Sequence, residues 1–292
     1  MKKLTLVLGF TLAFVTISFA QAAKNPVIFA VLQDGKMIEP FAKIENGKLL
    51  QTVSGGDDEA ILKAFSKTYY KPKTIYSLIF GGKVAGTSTV IKNDPSSECG
   101  RNMADVTTKS ATAKLKGFVM GLATNLKITK PGSGVRRMPT PAERAEIEKL
   151  VVAEFAKNKV NAKTLRSHNL TALDVDNDGK IEFVGSYWVA TGATERAKLF
   201  FIADKVRANK YSIGYSEYEL VKKEDVMSQE IKDVDEGVYH ELLLDILDFN
   251  NDGVAEIFTY IQSFEGAGFN AYQRNEGQWE RVLEASNYHC AY

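Results

Sequence analysis

Along most of the chain, apolar residues come in short runs or at every second position, broken by glycine-containing turns, which is the pattern of strands. Runs at 27–32, 36–44 and 48–53 predict three strands, and the Asp34-Gly35 and Asn46-Gly47 steps between them predict hairpin turns. The period then changes. Ile61, Leu62, Phe65 and Tyr69 recur at helical spacing behind the acidic start Asp57-Asp58-Glu59, and Lys71-Pro72 ends them. Strands resume at 74–80, 84–91, 103–108 and 114–126, with a surface loop at 93–97. The first residues follow another pattern. Met1-Lys2-Lys3 precedes an apolar run over 4–20 and the small-residue step Ala20-Gln21-Ala22, as in a secretory signal peptide, so 1–22 is set aside from the fold.

Residues 131–139, rich in Gly and Pro, predict a linker, and a helix starts directly after it. Thr140 is placed as N-cap, Pro141 fits the first helical position, and Glu143 completes a capping box. Ile147, Leu150, Val151 and Phe155 form the apolar stripe of this helix, and Arg144, Glu146 and Glu148 its solvated face. Beyond it the strand pattern returns twice. The first unit has strands at 169–173, 181–189, 198–205 and 211–219 with a turn at 208–209; the second has 239–247, 256–264, 269–274 and 279–283. A charged, weakly helical insertion at 222–236 separates them. The expected fold is mainly β with two or three helices (α+β): a β-rich antiparallel domain over 23–130, then a helix and two antiparallel β units over 140–292.

Each unit carries one acidic loop at the same place, between its first two strands. Asp174, Asp176, Asp178, Gly179 and Glu182 stand at positions 1, 3, 5, 6 and 9 of the first loop. Asp248, Asn250, Asp252, Gly253 and Glu256 stand at the same positions of the second, which begins 74 residues later (248 − 174). Oxygen side chains at alternate positions of a tight turn repel one another unless a cation sits among them, and an all-oxygen set suits Ca²⁺ before Zn²⁺ or Mg²⁺. The backbone carbonyls of Lys180 and Val254, at position 7, are further candidate ligands. An EF-hand is excluded, because position 12 is Gly185 in one loop and Thr259 in the other, where a bidentate Glu is required. The loops with their flanking strands resemble the FG-GAP and VCBS-type repeats, whose hallmark is D-x-[DN]-x-D-G-x-x-[DE] within a β-blade. The resemblance implies two propeller-blade-like units, each holding one Ca²⁺. It departs from the family in having Glu at position 9 and two copies rather than the four or so that close a propeller.

Composition then narrows the function. The chain has 37 Lys and Arg against 36 Asp and Glu; losing Lys2 and Lys3 with the leader leaves 35 against 36 and a net charge of −1. Near-neutrality without a basic block argues against nucleic acid as a partner. No run after the leader reaches the roughly 20 apolar residues of a bilayer span. The expected location is periplasmic or extracellular, where Cys99 and Cys290 are expected to pair as a disulfide that ties the C-terminal tail to the first half of the chain, two separate thiols being the alternative. Common local signatures of catalysis are missing: there is no G-x-S-x-G, and His240-Glu241 lacks the second histidine of a zinc protease because position 244 is Leu. The reading is an exported, non-enzymatic calcium-binding protein with a binding, adhesion or envelope-associated role toward a glycan, an envelope component or another protein. Its alternatives are a secreted or periplasmic hydrolase with structural calcium, and a scaffold or inhibitor subunit that binds through residues 24–130.

Overall fold

The computed structural model describes residues 25–208, 210–226 and 233–290. The expected leader at 1–22, the Asn209 end of one turn and residues 227–232 of the insertion lie outside the described residues.

The first part of the chain forms β1 (Val27–Leu32), β2 (Met37–Glu45), β3 (Lys48–Gln51), α1 (Glu59–Tyr69), β4 (Ile75–Phe80), β5 (Lys83–Lys92), β6 (Ala104–Ser110) and β7 (Gly121–Thr124). The strands pair in the order β1-β7-β4-β5-β6-β2, and β1 also pairs with β2, so six strands close on themselves and β3 extends β2. Closure removes free edges from these strands. The interior is filled by Val27, Phe29, Val31, Ile38, Tyr76 and Leu78 together with Phe65 and Tyr69 of α1. Expected strand 114–126 is β only at its end. Gly117, at φ 59°, turns the chain so that Lys116 bridges Val119, and pairing with β1 and β4 starts at Gly121.

The second part forms β8 (Arg136–Arg137), α2 (Pro141–Lys157), β9 (Arg166–Leu173), β10 (Glu182–Ala190), β11 (Glu195–Arg207) and β12 (Lys210–Lys222), then β13 (Glu241–Leu247), β14 (Glu256–Gln262), β15 (Gly266–Asn275) and β16 (Gln278–Tyr288). Strands β8 to β12 make one antiparallel sheet in chain order, and β13 to β16 another. Thr140 caps α2 as expected: its Oγ1 accepts from Glu143 N at 3.3 Å, and Glu143 Oε2 accepts from Thr140 N at 2.7 Å. Ile147, Val151 and Phe155 bury the α2 stripe against Phe183, Tyr187 and Phe201 of the five-stranded sheet.

The four-stranded sheet lies in the middle and is covered on both faces. Leu243, Ile246, Ile257 and Tyr272 meet Val184, Phe200 and Ile202 of the five-stranded sheet. From the other face Leu242, Leu244, Phe258 and Phe269 meet Ile28, Ala30 and Phe41 of the closed sheet. A strand covered on both sides needs apolar residues in succession, which explains the unbroken VIFAVL of β1 and the LLL of β13.

Residues 131–139 are tied down where a linker was expected. Gly132 N donates to Gly82 O at 2.8 Å and Gly134 N to Gly81 O at 2.9 Å. Gly81 has φ 64°, and a side chain there would run into the backbone of Gly134 at 2.8 Å, so glycine is required on both counts. Just beyond, Arg136 enters the interior, 3.3 Å from the fully buried Asp245 of β13, and donates to the carbonyls of Met120 and Leu244. Gly81 N donates to the same carboxylate at 2.9 Å.

Cys99 and Cys290 form a disulfide across 191 residues of sequence. Chain-entropy arguments put the stabilisation from closing so long a loop at about 5 kcal/mol. The Cys99→Ser/Cys290→Ser double variant is expected to unfold about 10 °C lower than the oxidised protein in a calorimetric scan. A variant that melts with the wild type would show that the bridge adds nothing to the packed tail.

Candidate metal centre

The two acidic loops join β9 to β10 and β13 to β14, and their backbones repeat. Asn177 (φ 58°) and Gly179 (φ 77°) are left-handed in the first loop, as Asn251 (φ 63°) and Gly253 (φ 100°) are in the second. Asn tolerates this region and Gly favours it. The loops lie against each other: Ala255 N donates to Val175 O at 2.7 Å. The segment before α2 runs beside both, with Ser133 Oγ donating to Asp174 O at 3.1 Å and Lys130 Nζ to Asn251 O at 2.6 Å. Pro131, Asp176, Asn177, Asp248 and Gly253 line a cavity of about 410 Å³ between them.

In the first loop, side-chain oxygens of Asp174, Asp176 and Glu182 lie within 4.8 Å of one another. Asp174 and Glu182 are buried, at 4% and 3% exposure. Val175 N donates to Glu182 Oε2 at 3.1 Å, and Gly179 N to Asp174 Oδ2 at 3.3 Å. The other oxygen of Asp174, Oδ1, is sealed from solvent with no donor among the described residues. Burial pushes the Glu182 carboxyl up to about 7, against the pull of its bond from Val175 N; the Asp176 charge adds to the rise and Arg274 opposes it. Asp178 does not join the cluster. Its carboxylate turns to Lys180, accepting from the backbone N at 2.7 Å and from Nζ at 2.5 Å. The Lys180 ammonium holds it below its usual range.

Two participants were not expected from the sequence. Arg274 of β15 places Nη2 on Asp176 and Nη1 at 3.9 Å from Glu182 and 3.5 Å from Asp204. Asp204 of β11 in turn accepts from Trp279 Nε1 at 2.9 Å. Arg274 lies 98 residues from Asp176 in sequence, so no local pattern marks it as part of the loop's surroundings.

The second loop closes on itself. Asp248 accepts from Asp252 N at 3.1 Å and Gly253 N at 3.0 Å, and Glu256 Oε2 accepts from Phe249 N at 3.2 Å. The Asn250 amide Nδ2 donates to Asp252 Oδ2 at 2.9 Å and to Glu256 Oε1 at 3.0 Å. It therefore fills with N–H donors the place a cation would take. Burial raises Glu256 to about 8 and moves Asp248 upward as well. Three of the four side-chain ligands expected in the first loop thus converge, whereas in the second the acids are satisfied within the loop.

No protein-family model, curated protein or solved structure matches the chain.

The shifts of Glu182 and Glu256 set a pH dependence. A carboxyl whose folded pKa is raised favours the fold when protonated, so its contribution is complete below about 4.5 and is lost as pH climbs through about 7 and about 8. Asp245, pushed up to about 6 by burial, acts in the same direction lower in the range. In chelator, the unfolding temperature is expected to fall by several degrees from about pH 5 to about pH 8.5. The fall should shrink in Glu256→Gln; a flat or rising profile would contradict the assignment.

Proposed function

We propose that this is an exported, non-enzymatic calcium-binding protein, similar to FG-GAP and VCBS repeats, in which Ca²⁺ braces the loops between the first strands of its β units, the first loop strongly and the self-satisfied second one weakly. The braced loops and the 129–132 segment beside them would present a fixed surface to a glycan, an envelope component or another protein. Supporting observations are the disulfide and the twice-repeated loop backbone. One observation carries the reading: Asp174 Oδ1 is buried without a donor, and Asp174, Asp176 and Glu182 each bring an oxygen close enough to share one ion. An acceptor left unmade out of water is costly, and a cation removes that cost. Three converging carboxylates are the hard oxygen donors that Ca²⁺ takes.

The hydrolase alternative finds no support in the histidines. His168 and His240 stack on each other at 4.0 Å, and His289 Nε2 lies 2.7 Å from Glu39.

Added Ca²⁺ in the range of about 10⁻⁴ to 10⁻³ M, typical of extracellular modules, is expected to raise the unfolding temperature, and chelator to reverse it. Asp174→Asn should abolish most of the shift and Asp252→Asn only a minor part, because the second loop is already satisfied. A melting curve indifferent to calcium in the wild type would refute the function.

Arg274 competes with the ion for Asp176 and Glu182. Calorimetric titration of Arg274→Gln is expected to show calcium bound about tenfold more tightly, since a unit positive charge is removed from the edge of the site. Unchanged or weaker binding would mean that the guanidinium is not in the ion's way.

A further inference from the structure

A second polar site lies at the other end of β13 from the loops. Where the five-stranded and four-stranded sheets meet, a cavity of about 330 Å³ is lined by Glu217, Glu219, Glu241, Glu284, Lys198 and Arg281, among others. Glu241 begins β13 and Leu247 ends it, so cavity and calcium loops stand roughly 20 Å apart.

Glu241 is held unusually firmly for a charged residue at a cavity wall. Its backbone carbonyl accepts from Ser186 Oγ at 2.5 Å and from Asn169 Nδ2 at 2.9 Å, both from the facing sheet. The residue is 7% exposed, and three donors converge on one carboxylate oxygen. Oε1 accepts from Tyr272 OH at 2.8 Å, from Asn270 Nδ2 at 3.0 Å and from Thr259 Oγ1. Burial raises the Glu241 carboxyl above its usual range, and the three preset donors pull against that rise, so a cation at the free oxygen would complete the stabilisation they begin. No donor among the described residues reaches Oε2, and unlike Asp174 Oδ1 it is not sealed from solvent, so Oε2 is what the carboxylate offers the cavity.

The charges around it lack one partner. Lys198 is 2.8 Å from Glu219, and Arg281 is 3.0 Å from Glu217 and 3.1 Å from Glu284. Glu241 alone among the lining acids has no cation, and four carboxylates face two cationic side chains. His240 in the same wall is held neutral, because burial carries its imidazole down to about 3. A metal ion fits poorly, since among the described residues acid and imidazole groups converge in threes only at Asp174, Asp176 and Glu182. A neutral polyol would leave the buried charge unmatched. The lining also includes Phe200, whose ring stacks on Tyr272 with centroids 5.2 Å apart, an aromatic surface of the kind that attracts cations.

We propose that this cavity binds a small organic cation through a primary ammonium or guanidinium group, with Glu241 Oε2 as its counter-ion. The volume is at the low end of ligand pockets, which limits the occupant to about the size of a diamine or a single amino acid. The site is independent of the calcium loops and stands or falls without them.

The test uses the oxidised full chain with calcium held constant. Putrescine and agmatine are titrated by calorimetry and by amide chemical shifts, with 1,4-butanediol and succinate as neutral and anionic counterparts. The amines are expected to bind and to shift the amides of Gly268 and Asn270, and the diol and the diacid to do neither. Glu241→Gln is isosteric and should weaken amine binding about tenfold or more while leaving the calcium titration unchanged. The chemical-shift arm needs no variant, so it decides the matter even if Glu241→Gln folds poorly. Amides unmoved by millimolar amine, a diol that binds as well as the diamine, or a Glu241→Gln protein that binds amines undiminished would each overturn the proposal.

Discussion

A carboxylate taken out of water has to be met by something positive or by enough hydrogen-bond donors, and this requirement organises the interior of the protein. Each buried acid meets it in a different way. Asp245 has the Arg136 guanidinium and the amide of Gly81, drawn from two distant segments. Glu39 has the Asn287 amide and the His289 ring on Oε1, both brought to it by the disulfide-anchored tail. Glu241 has three neutral donors on one oxygen. Asp176 and Glu182 borrow Arg274, and Glu256 uses the amide of Asn250. Two buried oxygens, Glu39 Oε2 and Asp174 Oδ1, have no donor among the described residues, and of these two acids only Asp174 brings an oxygen close to those of two further carboxylates.

These polar contacts also hold the layers together, because the apolar packing by itself is permissive. The four-stranded sheet presents leucines and phenylalanines to the closed sheet on one side, and isoleucines and aromatics to the five-stranded sheet on the other. Such surfaces tolerate many relative placements of similar area. The Arg136–Asp245 pair allows far fewer, since it joins the 131–139 segment, the Gly81 turn and β13 at one point. Breaking it from one side would strand a charge in the core, a far larger loss than any single apolar contact.

Much of this was legible along the chain, and the boundary of legibility is physical. Strand β1 was read at its observed limits because a two-faced strand leaves a continuous apolar run, and α2 because its cap and stripe are local. The Asn46-Gly47 turn declared itself through residues that tolerate positive φ. The loops were equally readable, since spacing within nine residues dictates which oxygens can converge. Closure of the first sheet was not, because the pairing of β1 with both β2 and β7 leaves no mark in either strand. Nor were Arg274 and Asp204, ordinary charges in their own strands that become part of a site only through packing. Asp178 shows the converse. It stands at a ligand position of the motif, yet its exposed carboxylate pairs with the neighbouring Lys180 instead of joining the cluster.

The two loops differ by more than one substitution. Both share the turn backbone, the buried acids at positions 1 and 9, and the bond from the residue after position 1 back to the glutamate. Replacing Asp176 by its counterpart Asn250 removes a charge and adds a donor, so the second loop can neutralise itself and does. The first loop has one more carboxylate and no internal donor to spare, so it depends on a cation from outside. Arg274 supplies one from β15, the third strand of the other unit. It reaches Asp176 and Glu182 but leaves Asp174 Oδ1 without a donor, so the guanidinium alone does not satisfy the first loop. A guanidinium is planar and tethered, whereas Ca²⁺ accepts oxygens from all directions at short range. That geometric shortfall makes the first loop, rather than its self-satisfied copy, the place where binding an ion gains most.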